Sequence, residues 1–244
     1  MEWQSPAIVL AARPLGETGL VVSLLTEAQG RHAGLAKGGA SRAQAALWQP
    51  GNLIEARWVA RLAEQLGALS GELVHPAAAR ALDAPLGLAL LSAACAMAEA
   101  VLPDRAPYPV AFRGLLALIA GLPVPALADY VRWEAALLTE LGYGLDLDRC
   151  ALTGTTDDLA FVSPRSGRAV SAAAAGPWRA RLLPLPGFLA QERVAAAPDE
   201  LLVGLRLTGH FLARAVPGEV LPAARGRLFD RIADLARAGS LTGS

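Results

Sequence analysis

Positions 150, 153, 171 and 174 have the spacing of a four-ligand zinc ribbon, with two residues inside each pair and seventeen between the pairs. They are occupied by Cys150, Thr153, Ser171 and Ala174. Structural zinc is held by thiolates and imidazoles, and two neutral hydroxyls and a methyl group offer neither. The residue types therefore predict no metal despite the spacing. Cys150 reads as a small buried hydrophobe. Around it, Asp146, Asp148, Asp157 and Asp158 do not match a calcium loop and read as a solvated acidic rim. His32, His75 and His210 are remote in sequence and lack a ligand spacing; His210, in an apolar helix, reads as a satisfied core or boundary residue. There is no Gly-x-Ser-x-Gly, and the glycines of Gly34 to Gly39 are not followed by the Lys-Ser/Thr of a phosphate loop. No catalytic site is expected.

The remaining polar chemistry is cationic. Residues 31 to 61 hold Arg31, Lys37, Arg42, Arg57 and Arg61 against a single acid, Glu55. Near the end, Arg225, Arg227 and Arg231 follow Arg206 and Arg214. Arg227 and Arg231 are four apart and share a helix face that can track a phosphate backbone or meet an acidic partner tail. Arg165 and Arg168 lie at a predicted turn. An ordinary solvated face is the competing reading for each of these arginines.

The cations sit in a chain that is neutral in sum, with 22 basic and 22 acidic residues among 244. That balance excludes a uniformly basic binder and an acidic disordered chain. The distribution is uneven, however. Residues 76–159 carry five basic and ten acidic residues, and residues 160–244 carry eleven and six. With 54% hydrophobic residues the chain has ample material for one large domain or two small ones. Two cysteines, Cys95 and Cys150, suit a reducing compartment. Met1-Glu2-Trp3-Gln4 lacks the basic start of a signal peptide, and the apolar run Ala84 to Ala98 is too short for a bilayer. A cytoplasmic location is expected.

The elements that must position these groups divide near residue 76. Before it, Ile8–Ala12, Leu20–Thr26, His32–Ala36, Leu53–Val59 and Leu66–Leu73 read as five short strands with no room for crossover helices, hence a small antiparallel barrel. In the fourth, Leu53, Ile54, Trp58 and Leu62 are expected to face the core. Lys37 to Arg42, with adjacent Gly38 and Gly39, reads as a flexible loop whose amides can approach phosphate. After it, helices are predicted over Ala84–Leu102, Tyr108–Leu122, from near Pro125 to Leu141, Asp199–Arg214 and Leu221–Arg237. The third carries a stripe of Leu127, Val131, Ala135 and Leu138, and the last a core stripe of Leu228, Ile232 and Leu235. Residues 146–175 form an irregular segment, in which Phe161–Ser163 and Arg168–Val170 flank a Pro-Arg-Ser-Gly turn as a hairpin.

Taken in order, several pieces resemble the RecO family of bacterial recombinational-repair proteins. They are the first strand running to Arg13-Pro14-Leu15-Gly16-Glu17-Thr18, then Leu25 through Gly30-Arg31, then Lys37-Gly38-Gly39 to Ser41-Arg42. Glu140-Leu141-Gly142-Tyr143 leading to Cys150, and Phe161-Val162-Ser163-Pro164 with Gly167, complete the set. The resemblance implies an α+β protein: an OB-type barrel over 1–75, then a mainly helical domain over 76–244 with an inserted, degenerate zinc-ribbon hairpin at 146–175. Many members hold zinc there with two Cys-x-x-Cys pairs; this chain keeps Cys150 alone.

OB-type barrels bind single strands by joining a cationic groove to aromatic platforms, which makes Trp48 and Trp58 candidate stacking surfaces. The expected function is a non-catalytic mediator of recombinational gap repair. Its expected partners are single-stranded DNA and, as a second form, duplex; it binds with little sequence preference through Arg31, Lys37, Arg42, Arg57, Arg61, Arg225, Arg227 and Arg231, anneals strands, and needs no cofactor. The resemblance implies RecR and single-stranded-DNA-binding protein as partners and RecA loading as the outcome, with no membrane. The alternative is a protein-interaction scaffold whose barrel no longer touches DNA; a metal-dependent hydrolase using Asp146 to Asp158 stands third.

Overall fold

In the computed structural model, which describes residues 1–62, 65–124, 127–191 and 196–241, the chain forms two compact units. One comprises Met1–Pro125 with Pro222–Arg225, the other Ala126–Leu221 with Gly226–Ser244.

The first unit opens with a closed five-stranded barrel built from β1 (Glu2–Leu15), β2 (Gly19–Thr26), β3 (Gly30–Ala36), β4 (Leu53–Val59) and β5 (Gly67–His75), in the order β1-β2-β3-β5-β4. β4 returns to β1 antiparallel and β3 meets β5 in parallel, the closure of an OB-type barrel. β1 is much longer than Ile8–Ala12 because it serves both edges of the closure. Its first half pairs with β4 and its second with β2, and the bulge between Val9 and Ala11 bends it from one partner to the other. Alternation along β3 and β4 sends Ala36, Ile54, Ala56 and Trp58 inward onto Val9, Val22 and Leu24.

Glycine makes the β3–β5 contact possible. Gly34 faces Gly67 across the pair, and a Cβ on Gly67 would lie 2.3 Å from the Trp58 ring. Of the residues expected to be buried around β4, Leu62 is instead 59% exposed, since the strand ends at Val59 and alternation stops there.

Three helices follow in this unit: α1 (Ala77–Ala81), which the sequence pattern did not signal, α2 (Pro85–Val101) and α3 (Pro109–Ala120). Pro85 and Pro109 each occupy the first helical turn, where their missing N–H has no intrahelical partner to lose. The buried Cys95 thiol of α2 donates to the Val9 carbonyl, 3.7 Å away, where the helix packs on β1.

The second unit is built on α4 (Leu127–Glu140) and α7 (Pro198–Leu212). Val131 and Leu138 of the expected stripe are fully buried, and Leu127 and Ala135 are half-buried. The expected helix start near Pro125 lies outside the described residues. Glu134, wholly buried, accepts hydrogen bonds from the Tyr130 hydroxyl at 2.7 Å and the Thr208 hydroxyl at 2.5 Å, which pins α7 to α4.

Between these helices, β6 (Leu159–Val162) and β7 (Ala169–Ser171) form the expected antiparallel hairpin. Its turn closes with Gly167 N–H donating to the Ser163 carbonyl at 2.9 Å, and the +70° φ at Gly167 is accessible to glycine at low cost. The short α5 (Ala172–Ala175) and a 3₁₀ turn over Gly176–Arg181 lead to β8 (Leu183–Pro184), which pairs with the other edge of β6, and α6 (Gly187–Ala190) precedes α7.

The last helix, α8 (Ala223–Leu241), buries Leu228 and Ile232. Leu235, expected in the same stripe, is 45% exposed, so the buried face ends with Ile232.

Candidate nucleic-acid interface

The barrel sorts its five expected DNA-binding cations into two groups. Lys37, Arg42 and Arg61 are exposed and form no ion pair among the described residues. Arg31 does the opposite. Its guanidinium is 3.4 Å from Glu99 and 2.9 Å from Asp104, and its Nε donates to the Leu102 carbonyl at 2.8 Å. Glu99 also accepts from Arg13 at 3.3 Å and from the Ser23 hydroxyl. Arg31 thus ties β3 to the end of α2, and its charge is largely neutralised there. Arg57 of β4 bonds Glu2 of the neighbouring β1 at 2.6 Å; both are about half exposed, so the pair is held weakly.

The Lys37–Arg42 connection is tied down where a flexible loop was expected. Gly39 N–H donates to Ala36, Ala40 N–H to Thr18 and Ser41 N–H to Gly38, all between 3.0 and 3.2 Å. Trp48, 2% exposed, anchors the far end of the connection in the barrel core. Asn52 clasps it as well, donating to the carbonyls of Ala46 and Leu47 at 2.8 and 3.2 Å. The amides of residues 39 to 41 are therefore occupied, and the exposed charges of this turn are the Lys37 and Arg42 side chains.

The expected stacking platforms are also corrected. Trp58 is 2% exposed and donates from Nε1 to the Ala33 carbonyl at 3.1 Å. Trp3 stacks on it with centroids 6.0 Å apart, and the His32 ring packs edge-on against both at 5.4 Å. Burial lowers the His32 pKa below its ordinary value, against the opposing hydrogen bond to the Gln29 carbonyl. Neither Trp48 nor Trp58 presents a face to a base. A barrel of this size has only side chains to fill its interior, and the largest ones go there.

The second set is sorted in the same way. Arg225 is 6% exposed and belongs to the packed part of the helix; Arg227 and Arg231 are exposed on α8, with Asp230 and Asp234 on the same helix. Arg206 lies over the Phe229 ring at 5.2 Å and Arg214 over Phe211 at 5.3 Å. Arg214 also donates to the Pro164 carbonyl at 2.8 Å, and His210 Nε2 is 3.1 Å from the same oxygen, so both residues fasten the hairpin turn to α7. At the turn Arg165 is exposed, while Arg168 pairs with Asp146 at 3.3 Å.

Sequence reasoning passed over Trp178, Arg179 and Arg181, which follow the hairpin. Trp178 is 55% exposed, with the Arg181 guanidinium 5.4 Å from its ring. The available signal was a tryptophan flanked by arginines in a polar stretch after Gly176-Pro177.

Two family models cover most of the chain: Recombination protein O N terminal over residues 1–77 and Recombination protein O C terminal over residues 83–221. A DNA repair protein RecO from Granulibacter bethesdensis is 53% identical over 242 residues, covering 96% of this chain and 97% of that protein. The chain belongs to the RecO family. Proteins called DNA repair protein RecO from Gluconacetobacter diazotrophicus (52% identical, 99% of this chain, 98% of that protein) and Acidiphilium cryptum (55%, 95% and 96%) are similar over comparable lengths. Family membership places the chain among proteins of recombination and DNA repair. No described helix is long and apolar enough to cross a membrane.

The zinc that the RecO family implies does not fit the residues present. Thr153 and Ser171 are neutral hydroxyls and Ala174 carries no donor. The Ser171 N–H points at Cys150 Sγ from 3.3 Å and its hydroxyl lies 3.5 Å away, so sulfur's neighbours are hydrogen-bond donors. Burial pushes the thiol pKa up, but hydrogen bonds from Thr153, from the Ser171 N–H and hydroxyl and from the Leu152 N–H outweigh it and bring Cys150 down to about 6. Backbone bonds from Cys150 N–H to Thr155 at 2.7 Å and Ala151 N–H to Ala169 at 2.8 Å hold the knuckle. Asp146, first of the acidic rim, is taken by Arg168, and no three His, Cys, Asp or Glu side chains converge among the described residues.

Proposed function

We propose that this RecO-family protein acts in recombinational gap repair by binding single-stranded DNA through its phosphates, with little sequence preference. On this reading it promotes annealing and the loading of RecA, together with RecR and single-stranded-DNA-binding protein. It works in the cytoplasm, without nucleotide hydrolysis and without zinc. The observation that carries the reading is the exposure of Lys37, Arg42 and Arg61 on the barrel with no ion pair among the described residues, in a chain whose net charge is zero. A second exposed set, Arg227 and Arg231 with Arg165, lies on the other unit. Annealing has to neutralise two backbones, and two cationic sets on one protein suit that need.

A second reading, a scaffold that binds partner subunits without touching DNA, is favoured by the burial of Trp48 and Trp58, the two aromatic platforms expected on the barrel of a single-strand binder. A salt titration separates the two. Phosphate contacts to a single strand make log affinity fall against log salt with a slope of roughly 0.7 per contact, whereas an apolar subunit interface is nearly indifferent. Steep loss of oligonucleotide binding with salt is the expected result. Absence of binding to oligonucleotides even in dilute buffer overturns the proposal and leaves the scaffold.

A further inference from the structure

Beyond the hairpin, the second unit opens a cavity of about 260 Å³ between β7, α5 and the 3₁₀ turn that follows, lined by Leu152, Ser163, Ser166, Val170, Trp178 and Leu182 among others. It is smaller than the ~300–1,000 Å³ clefts that enclose whole cofactors, and suits a single ring system. Two of its lining residues are large apolar side chains left in water: Leu152 is 67% exposed and Trp178 55%. Trp48, Trp58 and Trp133 are each 4% exposed or less and Trp3 is half-buried, so Trp178 is the one exposed indole of the five.

Three arginines stand near this cavity. Arg181 lies 5.4 Å from the Trp178 ring centroid and Arg179 5.2 Å from that of Phe161, and each guanidinium is held against an aromatic face. Arg165 stands at the hairpin turn, two residues from Ser163 and next to Ser166. All three arginines are exposed, and none forms an ion pair among the described residues. An exposed aromatic, a ring-sized apolar cavity, two serine hydroxyls and several separate cations call for a ligand that repeats one flat ring and one negative charge.

The geometry points to a stacking site for one unpaired nucleobase at Trp178, with the flanking phosphodiesters on Arg165, Arg179 and Arg181. This inference rests on the proposed binding of single-stranded DNA and gives it an aromatic contact in place of the buried Trp48 and Trp58. Base-on-aromatic stacking tolerates any sequence because every base has a π-face, and Ser163 and Ser166 provide hydroxyls rather than a base-specific pair of donors. Separate cations match the one-charge-per-nucleotide repeat of a strand. An acidic peptide anchored by an apolar side chain is the competing occupant, and the test below treats it as such.

The test uses the full chain, a twenty-residue oligo(dT), and two independent readouts. Intrinsic tryptophan emission sums five indoles, of which Trp178 is the most exposed, and the difference between wild type and W178A isolates its share; anisotropy of an end-labelled strand reports binding whatever its site. Wild-type emission is expected to be quenched on saturation. W178A should lose most of that quenching and bind roughly tenfold more weakly, the low end of what one stacked base contributes, while W178F keeps most of the affinity. R179A/R181A should reduce the salt slope by about 1.4, two single-strand phosphate contacts. Trp178 is largely solvated, so circular dichroism of W178A is expected to match the wild type.

Unchanged anisotropy and unchanged quenching in W178A overturn the stacking site while leaving DNA binding itself in place. Quenching by an acidic peptide with an aromatic end, but not by oligo(dT), overturns it in favour of a protein partner. Failure of the wild type to bind oligo(dT) by anisotropy at low salt overturns the proposed function and this site with it.

Discussion

Arg31 and Glu99 form a partly buried ion pair, 3.4 Å apart, with 21% and 14% of their side chains exposed. This makes Arg31 a structural cation. Removing the guanidinium leaves Glu99 with Arg13 and Ser23 alone and orphans the Leu102 carbonyl. R31A is expected to lower unfolding free energy by about 2 kcal/mol in urea while leaving oligonucleotide affinity of the folded protein within about twofold. A large loss of affinity with unchanged stability would return Arg31 to the DNA surface.

Lys37 and Arg42 should behave in the reverse way. K37A/R42A removes two exposed cations, so oligonucleotide affinity should fall equally for all sequences and the salt slope should drop by about 1.4. Stability in urea should change by less than about 0.5 kcal/mol, as for other exposed sites. An unchanged slope excludes this turn as a phosphate contact.

Trp58 is a core residue in this barrel. W58A should cost on the order of 3–5 kcal/mol, and G67A should be destabilising as well, because its methyl would enter the space of the Trp58 ring. Thermal unfolding measures both. Full stability of W58A, with DNA binding lost, would contradict this packing.

His32, edge-on to Trp3 and Trp58, gives the barrel an acid sensitivity. Its folded pKa lies below the unfolded value of about 6.5 because burial disfavours the imidazolium. The stability it confers is complete above pH 6.5 and is lost as pH falls toward the folded pKa. Urea unfolding of wild type and H32Q across pH 5 to 7.5 should show a wild-type decline below pH 6.5 that the variant lacks.

Cys150 is expected to titrate near pH 6, visible as thiolate absorbance at 240 nm that disappears in C150S. Cys95 stays silent there, since burial pushes its thiol up to about 12. A depressed thiol pKa stabilises the fold fully above the unfolded value and loses that effect as pH falls through 6. The wild-type advantage over C150S should therefore grow between pH 6 and 8.5. Metal analysis should find less than one zinc per ten chains, and chelator should leave the melting temperature unchanged; stoichiometric zinc refutes the metal-free knuckle.

The fold was largely legible because its elements are written in strong periodicities. Leu53–Val59 alternates and is β4, and Phe161 to Val170 declares its hairpin through the Pro-Arg-Ser-Gly turn. β1 was read short because its ends alternate around Pro6 and Pro14, residues that interrupt a strand signal without stopping an edge that changes partners. β8 is two residues long and carries no pattern to read. The site was less legible because charge at a position says nothing about its neighbours. Arg31 and Arg42 look alike in sequence, yet Glu99, 68 residues after Arg31, neutralises one of them. The same holds for the tryptophans, where burial separates Trp58 from Trp178 and no spacing rule does.

Gly30 sits where any side chain would collide with the Ala106 carbonyl, 1.9 Å from a built Cβ, and the next peptide hydrogen-bonds Arg105 at 2.7 Å. β3 is thus braced by a segment synthesised some seventy residues later. A nascent chain that has emerged only as far as β5 would lack this brace on the start of β3, and ribosome-stalled lengths should gain full protease resistance only once residues 104 to 106 have cleared the exit tunnel.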